Sequence, residues 1–327
     1  RYEQELIKVL QWEYPLSEHS RKGLKNYQQM LKLRDEDVTL LEEQVTAQEQ
    51  EKRQDKVTSL INEADRLRKE KKFEEAVLKY QVALRLDPNS VYAHNCLGLV
   101  LRQLGRLEEA IASYQTALRL DSNDGSVHYN LGTALHHQGK LEAAIASYQT
   151  ALRLEPNLAH AHNNLGSALS DQGKLEAAIA SYQTALRLDP KIASAHIGLG
   201  SALEEQGKLE AAIASYQTAL CLDPNNAKAH YILGSVLEEQ GKLETAIASY
   251  QTALRLDPNH AKAHNNLGSA LYSQGKLEAA IAELEIAVHL DPSSTLFRHN
   301  LEIVRNNKNL QSVSNNKKNF WGRLFGD

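Results

Sequence analysis

Long apolar runs are missing from this chain. Nowhere do about 18 consecutive apolar residues occur, so no segment is expected to cross a bilayer as a helix. Cysteine is scarce: only Cys96 and Cys221 are present, far apart, which excludes a disulfide framework and a metal knuckle and suits a reducing, cytoplasmic setting. An excess of positive charge is absent too. The 37 Lys and Arg against 41 Asp and Glu give a formal net charge of −4, leaving no basic footprint for nucleic acid. Methionine does not begin the chain and no signal-peptide pattern follows Arg1, so the sequence reads as a piece of something longer. Proline is sparse, with seven residues in all, and six of those share one phase.

Those six, Pro88, Pro156, Pro190, Pro224, Pro258 and Pro292, are separated by multiples of 34 residues, and Ser122 fills the one vacant slot. The segment Gly139–Pro156 returns nearly letter for letter around them. A fixed period of this size marks a stacked-repeat architecture. With the proline at place 32, the repeats are 57–90, 91–124, 125–158, 159–192, 193–226, 227–260 and 261–294. In the repeat that begins at Ala159, residues His162, Leu165, Gly166 and Leu169 form an i, i+3, i+4, i+7 stripe, the mark of a helix burying one face. Gly173 is placed to end that helix in a left-handed cap. Leu175, Ala178, Ile179, Tyr182, Ala185 and Leu186 then line one face of a second helix, which Asp189-Pro190 stops. Each unit is therefore helix A, tight turn, helix B, break. Small residues at places 8 and 20 let the paired helices approach closely, and the place-24 tyrosine plugs the space between units.

Leu-Gly at places 7 and 8, Ala at 20 and 27, an aromatic at 24 and Pro at 32 resemble the tetratricopeptide repeat (TPR). The resemblance spans Val57 to Ser294. It implies an all-α fold: a right-handed TPR superhelix, or α-solenoid, of helix-turn-helix repeats, here with an N-terminal helical segment and a C-terminal capping helix. Two departures stand out. Place 4, usually aromatic in the family, is histidine in six repeats (His94, His128, His162, His196, His230, His264), expected as core residues. The first repeat carries Glu63 and Ala64 instead of Leu-Gly.

Residues 1–47 read as three short helices. Tyr2, Leu6 and Leu10 mark the first, Pro15 breaks it, Ser17 caps a second, and Asp35-Glu-Asp37 opens a third. Residues 48–56 are polar on every side, a solvated helix or a linker. At the other end a capping helix is expected over 295–309, with Glu302 where a close-packing glycine would sit. A flexible tail, 310–327, follows. Its Phe320, Trp321, Leu324 and Phe325 form an aromatic motif that docks on a partner, contacts a membrane surface peripherally, or packs back on the repeats.

Chemistry is hard to find. Gln-Gly-Lys at the A–B turn is no phosphate loop, since its glycine closes a helix. Place-4 histidines lie a repeat apart, roughly 10 Å at ordinary interaxial distances, too far to share a zinc ion bound at about 2 Å. Glu204, Glu205, Glu238 and Glu239 read as a solvated face. Neither catalytic residues, nor a metal, nor a cofactor is expected, and the chain is not expected to be an enzyme. What varies among the repeats is one stripe of helix A, places 2, 5, 6, 9, 12 and 13, while helix B scarcely changes from the second copy to the sixth.

In the TPR family, the resemblance implies, that stripe lines a concave groove for peptide segments. Asparagine recurs at place 6 (Asn62, Asn130, Asn164, Asn266), with Asn163 and Asn265 beside it; an amide both donates and accepts and can pair with any main chain. The series resembles a broken form of the asparagine ladder of O-linked N-acetylglucosamine transferases. Tyr92, Tyr129 and Tyr231 add amphipathic surface, and Arg102, His160, Lys228 and Lys262 add basic or polar character. The family's clamp for chaperone C-termini needs a Lys/Asn/Arg pattern over three repeats that is not met here. The expected function is an interaction scaffold that holds an extended partner segment in the groove; the alternative is a targeting or regulatory domain of a larger enzyme or signalling protein.

Overall fold

The structure, a computed structural model, describes residues 1–13 and 16–325, with side chains through residue 310. Its contacts divide the chain into two compact units, Arg1–Leu154 and Glu155–Asp327. Among the described residues the regular structure is all α-helix.

The first unit starts with α1 (Tyr2–Trp12), α2 (Glu18–Met30) and α3 (Asp35–Lys69). Tyr2, Leu6, Leu10, Leu24, Val38 and Val45 form the small core that joins them. The Tyr2 and Tyr27 rings stack at 6.5 Å. Ser17 caps α2, accepting the Ser20 N–H at 3.2 Å, and so satisfies one of the donors that a helix start leaves open. Tyr14 and the predicted break at Pro15 lie outside the described residues.

The polar stretch 48–56 does not interrupt the chain. It is the middle of α3, a single 35-residue helix whose last third serves as helix A of the first repeat. Physically this is ordinary: the stretch holds neither Gly nor Pro, and Gln, Glu, Lys and Arg are good helix formers.

From there the helices alternate on the 34-residue period. They are α4 (Phe73–Leu86), α5 (Val91–Gln103), α6 (Leu107–Leu120), α7 (Gly125–His137) and α8 (Leu141–Leu154). The second unit holds α9 (Ala159–Asp171), α10 (Leu175–Leu188), α11 (Ala193–Glu205), α12 (Leu209–Leu222), α13 (Ala227–Glu239), α14 (Leu243–Leu256), α15 (Ala261–Ser273), α16 (Leu277–Leu290) and α17 (Thr295–Phe325). Helix A thus occupies places 1–13 and helix B places 17–30, and the helices of a repeat pack as a pair.

Three local devices set this geometry. Between A and B the place-15 residue is left-handed: Gly139 has φ +77°, and in the first repeat Lys71 takes φ +61° in its stead. Within the pair, a Cβ on Gly166 would stand 2.8 Å from the Tyr182 ring, so glycine there leaves the room in which that tyrosine lies against helix A. Between repeats, the Asp-Pro break is an Asx turn; Asp87 Oδ1, for example, accepts the Asn89 N–H at 3.1 Å.

The place-4 histidines complete that break, and they are not simple core residues. Nε2 of His94, His196 and His230 lies 3.0–3.1 Å from the carbonyl oxygen of Pro88, Pro190 and Pro224, six residues upstream. A carbonyl only accepts, so Nε2 carries the hydrogen in each bond. The ring needs a polar atom at its tip, which explains histidine in place of the family's aromatic. Five of the six are half-buried, and His264, 8% exposed, also meets Glu283 through Nδ1 at 2.6 Å.

At the C-terminal end Phe297, Leu301 and Val304 of α17 are buried as in a further helix A, while Glu302 is exposed. The backbone stays helical through Phe325, where a flexible tail from residue 310 was expected. The side chains of Phe320, Trp321, Leu324 and Phe325 lie outside those described. Among the described residues no helix is long and apolar enough to cross a membrane.

Candidate functional site: the inner stripe of the A helices

Several A helices of neighbouring repeats touch one another: α3 with α5 and α5 with α7 in the first unit, then α9 with α11, α13 with α15 and α15 with α17 in the second. Their variable stripes are thereby set side by side, each repeat offering one rung.

In the first unit Asn62 is exposed, and Tyr92, 52% exposed, donates its hydroxyl to Asp65 Oδ2 at 2.8 Å. Tyr129 is half-buried with its ring 6.1 Å from that of Tyr148. Asn130 is buried and donates Nδ2 to Asn95 Oδ1 at 2.9 Å, a bond from place 6 of one repeat to place 5 of the one before.

In the second unit His160, Lys228 and Lys262 are exposed, Asn163, Asn164, Tyr231 and Asn266 half-buried, and Asn265 buried. Asn300 Nδ2 donates to Asn265 Oδ1 at 2.9 Å, repeating the place-6 to place-5 bond. Within their helices Asn163 donates to Asn164 at 3.1 Å and Asn265 to Asn266 at 3.2 Å. Part of the asparagine series is therefore joined to itself, and the Asn163 Oδ1 is buried without a hydrogen-bond partner. Tyr231 lies with its ring 4.7 Å from His260 and 6.1 Å from Tyr250.

Sequence reasoning missed a second layer, beneath the stripe. The place-24 tyrosine of helix B crosses over the small place-8 residue of helix A, alanine (Ala64) in the first repeat and glycine in the others, and in four repeats its hydroxyl meets place 9 or place 12 of its own repeat. Tyr80 donates to Asp65 at 2.6 Å and Tyr148 to Thr133 at 3.3 Å, both at place 9. Tyr216 and Tyr250 donate to Glu204 and Glu238, both at place 12, at 2.7 Å. Burial pushes the Tyr216 and Tyr250 hydroxyls up, and the acceptor carboxylates push them further. Glu204 and Glu238 are thus half-buried partners of a core tyrosine and not solvated residues, whereas Glu205 and Glu239 are exposed. The signal was present as a Tyr twelve residues after a Glu, but variation at place 12 looked like groove variation.

Asp65 is the most connected of these acceptors. Burial pushes its carboxyl up, but hydrogen bonds from Tyr80, Tyr92 and Arg68, with the Arg68 charge, outweigh that and hold it below the usual range. In the second repeat Arg102, at place 12, lies against the Tyr114 hydroxyl and counters part of the rise that burial gives it; the Nε of Arg102, like that of Arg68 in the first repeat, is buried without a hydrogen-bond partner. Among the described residues no group of three or more His, Cys, Asp or Glu is placed to hold a metal ion.

Comparison with known proteins agrees with this architecture. A family described as the cilia and flagella-associated protein 70 C-terminal domain matches residues 124–318, and the TPR repeat family matches 64–101 and 98–139. No curated protein matches the chain. The crystal structure of YrrB, described as a TPR protein with an unusual peptide-binding site, aligns over 57% of this chain and 96% of its own, at 25% identity and a TM-score of 0.50. A TPR protein from Parabacteroides merdae aligns over 77% of this chain and 99% of its own (18% identity, TM-score 0.58). PilF of Pseudomonas aeruginosa does so over 63% and 94% (23%, TM-score 0.57), and both share the fold. With the first of the two families covering more than half of the sequence and the second the repeats before it, the chain belongs to that C-terminal-domain family and, with it, to the tetratricopeptide repeat proteins.

Proposed function

We propose that this chain is a non-enzymatic scaffold that binds an extended segment of a partner protein along the inner stripe of its A helices. The observation that carries the reading is that the A helices vary along that one stripe, on a framework of B helices that scarcely changes between the second and sixth repeats. Side chains that differ from rung to rung on a constant frame are what an extended, sequence-selective contact requires. The exposed Asn62 and the half-buried Asn164 and Asn266 carry amides that can pair with a main chain whatever its side chains. Tyr92, Tyr129 and Tyr231 supply contact area between the rungs. Exposed Lys228 and Lys262 at place 2 and exposed Glu205 and Glu239 at place 13 place opposite charges at the two edges of the stripe in the second unit. The peptide-binding site ascribed to YrrB, a relative in fold at 25% identity, supports the same use.

The test is partner capture with the intact chain, with Asn62, Asn130, Asn164 and Asn266 all replaced by alanine, and with a chain ending at Lys308. Loss of a captured partner only in the alanine variant, with helicity unchanged by circular dichroism, is the expected result. Loss only on truncation would move recognition to the tail that holds Phe320, Trp321, Leu324 and Phe325, and the stripe would lose its role.

A further inference from the structure

Helix α17 is apolar on two sides. Phe297, Leu301 and Val304 are buried against the last repeat. Leu296, Ile303 and Leu310, each seven residues from the next, stand 57%, 40% and 67% exposed. At 3.6 residues per turn the two sets lie about 130° apart round the helix.

The helices that pack on α17 stop short of its length. Asn307 donates to the hydroxyl of Tyr272, the last residue but one of α15. Lys308 pairs at 3.4 Å with Glu278, the second residue of α16. Residues 309–325 therefore run past both neighbours as a further helical stretch of about 25 Å. Helix propensity does not account for it. Four of its residues are Asn and one is Gly, both weak helix formers, and isolated helices of this length are marginal in water. A helix there calls for a surface that buries one of its sides.

Register and charge select that surface. Within 309–325 the side on which Leu310 lies also takes in Val313, Phe320, Trp321, Leu324 and Phe325, with Ser314 and Lys317 as its polar residues. The arc is about 140° wide, broader than the a/d seam of a coiled coil. Lys317, Lys318 and Arg323 are the charged residues of the stretch and no acid offsets them, so a second copy of the same helix would be repelled. Over all of α17 six Lys and Arg stand against Glu302 alone, a basic helix hidden in a chain of formal net charge −4. Trp and Phe settle where headgroups meet acyl chains, and a Lys beside them reaches outward to the phosphates.

We propose that residues 309–325 of α17 form an amphipathic helix that lies in the surface of an anionic lipid bilayer. Its apolar arc enters the boundary layer, and its three basic residues face the headgroups. The stretch begins beyond place 13 of α17, where the inner stripe ends, so this assignment does not rest on the stripe's use by a partner.

The experiment uses the full chain with Trp12→Phe, which replaces an exposed residue and leaves Trp321 as the one tryptophan. It is mixed with phosphatidylcholine vesicles, and separately with vesicles in which about 30% of the lipid is phosphatidylglycerol. Co-sedimentation and a blue shift of Trp321 emission are expected with the anionic vesicles only, and both are expected to fade as salt is raised. Leu310→Gln weakens the binding about tenfold, and Lys317→Gln and Lys318→Gln about fivefold each. Each of these lies outside the repeat core, so helicity by circular dichroism stays that of the parent. No vesicle binding, equal binding to both vesicle types, or binding without a Trp321 shift would each overturn the proposal. So would vesicle binding by the parent that Trp12→Phe abolishes, since the N-terminal helices would then be the contact. Concentration-dependent self-association that Leu310→Gln removes, without vesicle binding, would give the apolar arc to a protein partner instead. Partner capture along the inner stripe is unaffected by any of these results.

Discussion

At the scale of single residues the first repeat is the one that departs from its siblings, and it does so in two measurable ways. Lys71 holds the left-handed turn that glycine holds elsewhere, with φ +61° on an exposed, non-glycine residue. An L-residue with a Cβ is disfavoured there by roughly 1–2 kcal/mol, part of which glycine gives back through its freer unfolded chain. Lys71→Gly is therefore expected to raise stability by about 0.5–1 kcal/mol, read as a higher urea midpoint. Asp65 is the second departure. Its carboxyl is held low in the fold, so the stabilisation it brings is complete above its unfolded value of about 3.9 and is lost as pH falls through the lower folded value. Urea titrations at pH 7 and pH 3 are expected to show a larger loss for the parent than for Asp65→Asn, in which no carboxylate remains to protonate.

At the scale of helices the sequence was most informative where a breaker sits. The A and B helices begin and end where the place-15 glycines and Asp-Pro breaks put them, because those residues limit the backbone directly. Where no breaker exists the ends were not legible. Residues 48–56 hold only helix-compatible polar residues, so α3 runs through them, and α17 likewise continues beyond residue 309. Gln54 is exposed in the middle of α3, so proline there removes a backbone bond without disturbing a core. Gln54→Pro is expected to cost about 3 kcal/mol of local helix stability. Hydrogen exchange should show amides near residues 50–54 losing protection while α5 to α8 keep theirs. The tyrosine hydroxyl pairings were hidden for another reason: they join places 9 and 12 to place 24, and no local period shows which of two candidate acceptors a buried hydroxyl will choose.

At the scale of the whole molecule, contacts run between neighbours in the repeat series, so damage to one repeat should stay near it. Gly234 makes this testable. A Cβ there would lie 2.7 Å from the Tyr250 ring, and a leucine side chain would force α13 and α14 apart, an overpacking of typically 1–3 kcal/mol. Gly234→Leu is expected to speed exchange in α13 and α14 and, less so, in α12 and α15, with α5 to α8 unaffected. Uniform loss of protection across the chain would show that the array unfolds as one block.

The histidine-to-carbonyl bond between repeats bears on the history of such a chain as well as on its stability. Each bond joins a place-4 ring to the break just before it, and each contact between a place-8 glycine and its place-24 tyrosine closes within a single repeat. A gene that gained or lost one 34-residue copy by slippage between its nearly identical segments would thus encode a protein in which every surviving bond of these two kinds still found its mate. Under the function proposed above, selection on array length would then act on the inner stripe, and the number of rungs would follow the length of the segment bound there.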